Sequence, residues 1–119
     1  MTRSAVIARP GARRRKKPVA AKPRTRELAA IVTDNRMFEF HRPLRVAGHE
    51  EGGLWIHECK PLRILAYAET REASWQAFVD YFESDWDAIA QEKDPRLTLD
   101  AREMKREYLK LVKSVRPVL

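Results

Sequence analysis

Two histidines and one cysteine near the middle of the chain are of the types that ligate zinc or take part in nucleophilic catalysis. His41, His57 and Cys59 are all at odd-numbered positions in segments whose hydrophobicity alternates as in a strand. This spacing would place them on one side of a hairpin. A fourth ligand at a recognised spacing is missing, and a thiol nucleophile would lack an orienting third group. We therefore predict a buried or partly buried structural Cys59 and no metal site.

Three carboxylates recur at helical spacing further along the chain. Asp80, Glu83 and Asp87 fall on one face of a predicted helix. Carboxylates can transfer protons or hold magnesium, but that chemistry needs groups that converge from several elements. Two interpretations stay open, a solvated helix face and a face that meets a basic partner. Because the sequence shows no triad and no Gly-rich phosphate loop, we predict a non-catalytic protein without a cofactor.

The clearest functional signal is a cationic N-terminal arm, residues 1–26. It holds ten of the 24 Lys and Arg residues and no Asp or Glu, so the rest of the chain carries 14 basic against 17 acidic residues. The arm has few large apolar residues to bury, so we predict that it is disordered. Such a cluster binds polyphosphate by counterion release, although a localisation signal, a transit segment and a solubilising tail remain alternatives. The predicted nucleic-acid-binding residues are Arg13, Arg14, Arg15, Lys16, Lys17, Lys22, Arg24 and Arg26.

Length and composition limit the class of protein. A chain of 119 residues has room for one domain and a tail. No apolar run approaches the roughly 20 residues of a membrane helix, and the basic start lacks the apolar segment of a secretory signal. Cys59 is the only cysteine, which excludes an internal disulfide and fits a reducing compartment. We therefore predict a cytoplasmic protein.

Alternating hydrophobicity predicts three strands in the middle of the chain. Before them, residues 24–35 predict a brief helix capped by Thr25. From Met37 the period becomes two and predicts a strand, in which Pro43 marks an edge or a bulge. The Gly-rich stretch that follows predicts a reversal longer than the tightest hairpin turns. Two further strands are predicted at residues 54–59 and 62–68.

Two helices are predicted after the strands. Thr70 caps the first, Asp94–Pro95 ends it, and Thr98 caps a second helix over residues 99–115. We interpret the aromatic stripe of the first helix as core rather than as a stacking surface for single-stranded nucleic acid, and we expect Tyr81, off the stripe, to be exposed. The stripe consists of Trp75, Phe78, Val79, Phe82, Trp86 and Ile89.

These elements together predict an α+β fold class. The fold is a three-stranded antiparallel meander packed by a long amphipathic helix and followed by a second helix. It forms one domain over residues 37–116, preceded by the disordered basic arm of residues 1–26.

The junction between the third strand and the first helix resembles the HicB-like antitoxins of bacterial type II toxin–antitoxin systems. Thr70 matches the helix cap of that family, and Ser74 matches a small residue in the second turn. Phe78, Phe82 and Trp86 are similar to an F-x-x-x-F-x-x-x-W pattern of a diverged branch, and LTLDAREMK is similar to its closing helix. The resemblance covers about residues 37–115.

The resemblance implies an antitoxin that acts by binding alone. Its partner would be a small basic mRNA-cleaving toxin of the HicA type, in a hetero-complex or homo-oligomer, with DNA contact through the basic arm. Complementary charge favours acidic contacts, and the implied toxin-binding residues are Glu69, Glu72, Asp80, Glu83 and Asp87. The alternative is a small nucleic-acid-binding protein that uses the basic arm, with the αβ body as a dimerisation or adaptor module.

Overall fold

The strands and helices follow one another in the order β-β-β-β-α-α-β. The computed structural model describes residues 24–118. A π-helical turn (Trp86–Ala90) extends the first helix, and a 3-10 turn (Asp94–Arg96) precedes the second. No helix in this range is long and apolar enough to cross a membrane. The strands and α-helices are β1 (Arg24–Val32), β2 (Arg36–Glu51), β3 (Leu54–Cys59), β4 (Ile64–Ala68), α1 (Arg71–Asp85), α2 (Leu99–Leu111) and β5 (Val112–Pro117).

The central strand of the antiparallel sheet is β2. β1 pairs along one side of β2, whereas β3 and β5 pair with opposite ends of its other side, and β4 pairs with β3. The predicted α+β class is confirmed, and the three predicted strands correspond to β2, β3 and β4. The sheet is larger than predicted, because β1 and β5 add to the two sides of β2.

The first described segment is a strand, so the predicted brief helix over residues 24–35 is wrong. β1 places Arg26 opposite Val46 and Leu28 opposite Leu44 of β2, and Ile31 is buried. Pairing with the next strand and burial in the core override a weak local helix preference. Residues 24–26 of the predicted disordered arm therefore belong to the sheet, and the predicted disorder of residues 1–23 lies outside the described residues.

A bulge interrupts the pairing of β1 with β2 at the position that Pro43 predicts. The register shifts between the pair Leu28–Leu44 and the pair Ala30–Glu39, which leaves extra residues of β2 between them. Proline cannot donate to a sheet ladder, and a bulge removes the need for that donor.

The hairpin between β2 and β3 is shorter than predicted. Glu51 pairs with Leu54, so Gly52 and Gly53 alone form the turn. Their φ angles of 58° and 83° are the left-handed values that a two-residue type I′ turn requires. The polar residues before the glycines look like loop in sequence, but they are paired in the ladder.

The aromatic stripe of α1 forms the core against the sheet and α2, as predicted. Phe78 and Phe82 are fully buried and Trp86 almost fully. The Phe82 ring centroid lies 5.1 Å from that of Phe38 in β2 and 5.3 Å from that of Tyr108 in α2, both edge-on. Tyr81, predicted to be exposed, packs partly against this core. The half-buried aromatic residues of α1 are Trp75 and Tyr81.

Both predicted helix caps are confirmed, but α2 is shorter than predicted. Thr70 and Thr98 each accept a hydrogen bond from the amide three residues later, at 3.0 and 3.1 Å. α2 ends at Leu111, and Val112 takes extended geometry and pairs with Phe40 of β2. A β-branched residue that can be buried on a neighbouring strand favours the strand over another helical turn.

Candidate functional site

A groove of about 690 Å³ opens where the starts of β1, β3 and α1 meet the C-terminal part of β2. The antiparallel register brings residues of three strands side by side here. Arg24 of β1 lies opposite Gly48 of β2, and Gly48 lies opposite His57 of β3. Its lining is mainly basic and aromatic, with Glu72 as a carboxylate at its side. The principal lining side chains are Arg24, Arg26, Arg71, Trp55, Trp75 and His57.

Three arginines of the groove have no carboxylate within ion-pair distance in residues 24–118: Arg24, Arg26 and Arg71. The Arg26 guanidinium carbon lies 4.4 Å from the ring centroid of Trp75, and that of Arg71 lies 5.5 Å from the centroid of Trp55. Cation–π contact orients a guanidinium while leaving N–H groups free to donate. Arg71 also begins α1, where the helix dipole adds positive potential. The groove therefore concentrates positive charge that no described carboxylate neutralises.

His57 forms the floor of the groove and is 2% exposed. Its Nδ1 lies 2.7 Å from the Ser74 hydroxyl oxygen, and its ring meets that of Trp75 edge-on at 5.4 Å between centroids. Burial lowers the pKa of His57 to about 4, assisted by the charges of Arg26 and Arg71. The ring is therefore neutral near pH 7. Its second nitrogen, Nε2, has no hydrogen-bond partner in the described part of the chain.

The pair formed by His57 and Ser74 has the residue types of a base and a nucleophile, but its hydroxyl is not accessible. Ser74 is fully buried, and its hydroxyl lies 3.4 Å from the Ala66 carbonyl oxygen that it can donate to. A nucleophile must reach its substrate. We therefore interpret this pair as structural, since it ties α1 to β3 and β4.

The histidines and the cysteine that could share one side of a hairpin do not form one cluster. His41 is exposed, whereas His57 and Cys59 are buried. Within residues 24–118 there is no group of three or more His, Cys, Asp or Glu side chains placed to hold a metal ion. Burial raises the pKa of the Cys59 thiol, so the thiolate that reacts or binds metal is disfavoured. The predicted burial of Cys59 is confirmed.

The five carboxylates implied as toxin contacts fall into two groups. Glu83 accepts a hydrogen bond from Arg36 Nε at 2.9 Å, and both Asp87 oxygens accept from Arg36 Nη2 at 2.9 and 3.0 Å. The charges of Glu83 and Asp87 are thus already paired with Arg36 within the fold. Glu69, Glu72 and Asp80 are exposed and have no ion pair within residues 24–118, and Asp80 accepts a hydrogen bond from Gln76 at 3.3 Å.

The structure places two of the predicted nucleic-acid-binding residues, Arg24 and Arg26, in the groove. The other six, Arg13, Arg14, Arg15, Lys16, Lys17 and Lys22, lie outside the described residues. Sequence reasoning missed Arg71 and Trp55 altogether and assigned Trp75 to the core. A signal for this site was present, because Arg71 follows a helix cap directly and Trp55 alternates with His57, but nothing local indicates that these segments meet.

Comparison with known proteins found no relative for this chain: no family model, no curated protein and no solved structure matches it. Membership of the HicB-like family therefore stays a prediction from the residues that suggested it.

Proposed function

We propose that the protein binds nucleic acid through this groove together with its basic N-terminal residues. The observation that carries the proposal is the set of three arginines, Arg24, Arg26 and Arg71, that lack described carboxylate partners. A polyphosphate supplies the anion that these guanidiniums lack, because arginine binds phosphate oxygens through two parallel N–H groups. Arg24, the first residue of β1, lines the groove, and the basic residues 1–23 precede it in sequence.

The distribution of charge supports this proposal better than the average charge does. The chain beyond residue 26 has more acidic than basic residues, so attraction to nucleic acid has to come from local clusters. The groove is one such cluster, and residues 1–23 hold eight of the ten arm cations. Neutralising phosphates at both would release counterions and make the affinity fall steeply with salt.

The accessibility of the reactive groups supports binding rather than catalysis. Ser74 and Cys59 are buried, so the neutral His57 at the floor of the groove has neither of these nucleophiles within reach of a ligand. The groups that a ligand reaches first are guanidiniums and indole rings, which bind phosphates and bases without breaking bonds.

The proposal is tested by replacing the groove cations. We expect the triple variant Arg24→Gln, Arg26→Gln, Arg71→Gln to lower the affinity for a labelled oligonucleotide at least tenfold in fluorescence anisotropy. Each phosphate contact contributes about 0.7–0.9 to the slope of log K against log salt, so the slope should fall by about two to three.

A matched variant controls for the loss of three positive charges. Arg42, Arg106 and Lys113 are exposed and lie outside the groove lining, so their replacement by glutamine changes the net charge by the same amount. We expect this control to lose much less affinity. Equal losses in the two triple variants would contradict a specific groove and leave only general charge attraction.

A second candidate function is the neutralisation of a small basic toxin. It is favoured by the exposure of Glu69, just before α1, and of Glu72 and Asp80 within it, because complementary charge speeds the encounter of protein partners. The proposal now depends on these three carboxylates, since Glu83 and Asp87 bind Arg36.

Co-expression with the neighbouring open reading frame tests the second candidate. We expect toxicity of that reading frame alone, rescue by the present protein, and loss of rescue when the three exposed carboxylates become Gln or Asn. The absence of both toxicity and a complex would contradict it. The variant with three groove arginines replaced should still rescue, which separates the two candidate functions.

A further inference from the structure

We infer that the ligand of the groove is single-stranded and that one unpaired base enters the groove beside Trp55 and His57. This inference rests on the proposed nucleic-acid binding and specifies which form of nucleic acid the groove accepts. It depends on the volume of the groove and on the groups at its floor. The three arginines alone would serve a duplex backbone equally well.

The first observation is a buried hydrogen-bonding atom without a protein partner. His57 lines the groove, is 2% exposed, and uses Nδ1 for Ser74, which leaves Nε2 without a partner in the described residues. Buried polar atoms are nearly always hydrogen-bonded. A neutral imidazole offers either a donor or an acceptor at this nitrogen, and the edge of a nucleobase carries both kinds of complementary group.

The second observation is the glycine in front of that nitrogen. A Cβ at Gly48 would lie 3.1 Å from both Cδ2 and Nε2 of His57. Gly48 does not have a left-handed backbone, since the described glycines with positive φ are Gly52 and Gly53. The missing side chain at Gly48 therefore matters for space rather than for backbone conformation, because a Cβ there would fill the space next to Nε2.

The third observation is an aromatic surface beside the same floor. Trp55 is half-buried, so part of its indole faces the groove, and Arg71 lies over its ring at 5.5 Å. Stacking of a base on an aromatic side chain contributes about 1–3 kcal/mol and does not require a particular base. The volume of about 690 Å³ lies within the range of pockets that hold small organic ligands.

These observations favour an unpaired base over a duplex for a geometric reason. A duplex presents its phosphates outward and keeps its bases paired and stacked, so it can contact the arginines at the rim but cannot place a base at the floor. An unpaired nucleotide can do both at once. Its phosphates contact Arg24, Arg26 and Arg71, and its base lies by Trp55 and His57.

The test compares three probes on the full-length protein at one salt concentration. They are a labelled single-stranded oligonucleotide, its duplex, and an abasic strand of the same length that keeps every phosphate. We expect the single strand to bind about tenfold more tightly than either of the others, the factor that one stacked base supplies. Tryptophan fluorescence should be quenched by the single strand and not by the abasic strand.

Two variants locate the base. Gly48→Ala places a methyl group against His57. Trp55→Leu removes the aromatic surface and keeps every arginine, although Arg71 loses the ring that it lies over. In each folded variant, checked by circular dichroism, the single strand should lose its advantage over the abasic strand. The abasic affinity should stay the same in Gly48→Ala and should change by less than the single-strand affinity in Trp55→Leu. If Gly48→Ala fails to fold, Trp55→Leu alone decides the question.

The possible failures are distinguishable. Equal binding of single strand and duplex, or of normal and abasic strands, would overturn this inference and leave the proposed function intact. Failure of all three probes to bind would contradict the proposed function itself.

Discussion

Arginines stack on aromatic rings at both ends of β2, but they are neutralised by carboxylates at only one of them. Where β2 begins, the Arg36 guanidinium carbon lies 5.2 Å from the ring centroid of Phe38 and its nitrogens donate to Glu83 and Asp87. Near the other end, Arg26 lies 4.4 Å from the centroid of Trp75 and has no described carboxylate partner. The same cation–π contact is thus part of a closed ion-pair network in one region and of an open groove in the other.

The comparison shows that the role of an arginine depends mainly on whether a carboxylate pairs with it. Its exposure and the number of arginines nearby matter less. Arg36 and Glu83 have side chains that are 26% and 17% exposed, so their pairing is partly shielded from water and holds α1 to β2. The groove arginines contribute little to such cross-links and remain available for a phosphate. Substitution of Arg36 should therefore mainly lower the free energy of unfolding, whereas substitution of a groove arginine should mainly lower the affinity for nucleic acid.

The largest expected effect is a loss of stability in acid, and it comes from His57 at the floor of the groove. His57 has a pKa of about 4 in the folded protein against an ordinary histidine value of 6.5, so the unfolded state binds more protons between those values. Stability therefore falls as the pH decreases from about 6.5 to about 4, by roughly 3 kcal/mol from this residue. Urea unfolding at a series of pH values measures it. In His57→Gln this part of the pH dependence should disappear, and an unchanged slope would contradict the assignment.

The next effect is expected at the opposite end of β2. Arg36→Gln leaves the partly buried Glu83 without its cation, and we expect the free energy of unfolding to fall by about 2 kcal/mol. Nucleic-acid affinity should stay within twofold of the wild type, because Arg36 lies outside the groove. Arg45 provides the matched control, since its pair with Glu27 is exposed at 74% and 53%, and Arg45→Gln should cost less than about 1 kcal/mol. Equal costs would show that the Arg36 network is no stronger than a surface ion pair.

The smallest effect on stability is expected for a single groove arginine. Arg26→Gln removes a cation–π contact worth about 0.5–1 kcal/mol, while the affinity for an oligonucleotide should drop severalfold. Thermal unfolding and anisotropy on the same sample measure the two effects. A stability loss as large as that of Arg36→Gln would show that Arg26 is mainly structural and would remove the contrast between the two ends.

The parts of the fold that depend on neighbours in sequence were predictable from it. Thr70 and Thr98 cap their helices, Pro43 marks a bulge, and the apolar stripe of α1 packs as core, because each signal acts within a few residues. β5 was missed because its partner β2 lies far away along the chain, and β1 was missed because hairpin pairing with β2 overrides the helix-like spacing of its apolar residues. The turn between β2 and β3 was predicted too long because paired polar residues resemble a loop.

The sequence by itself determined the α+β composition, the helix starts, the core stripe of α1 and the concentration of positive charge before residue 27. Only the tertiary structure decided which charges remain available. Glu83 and Asp87 are 47 and 51 residues from Arg36 and still neutralise it, whereas Arg24, Arg26 and Arg71 come together from two separate elements without such partners. Electrostatic and stacking interactions depend on distance in space, and folding sets those distances through contacts that no local pattern encodes.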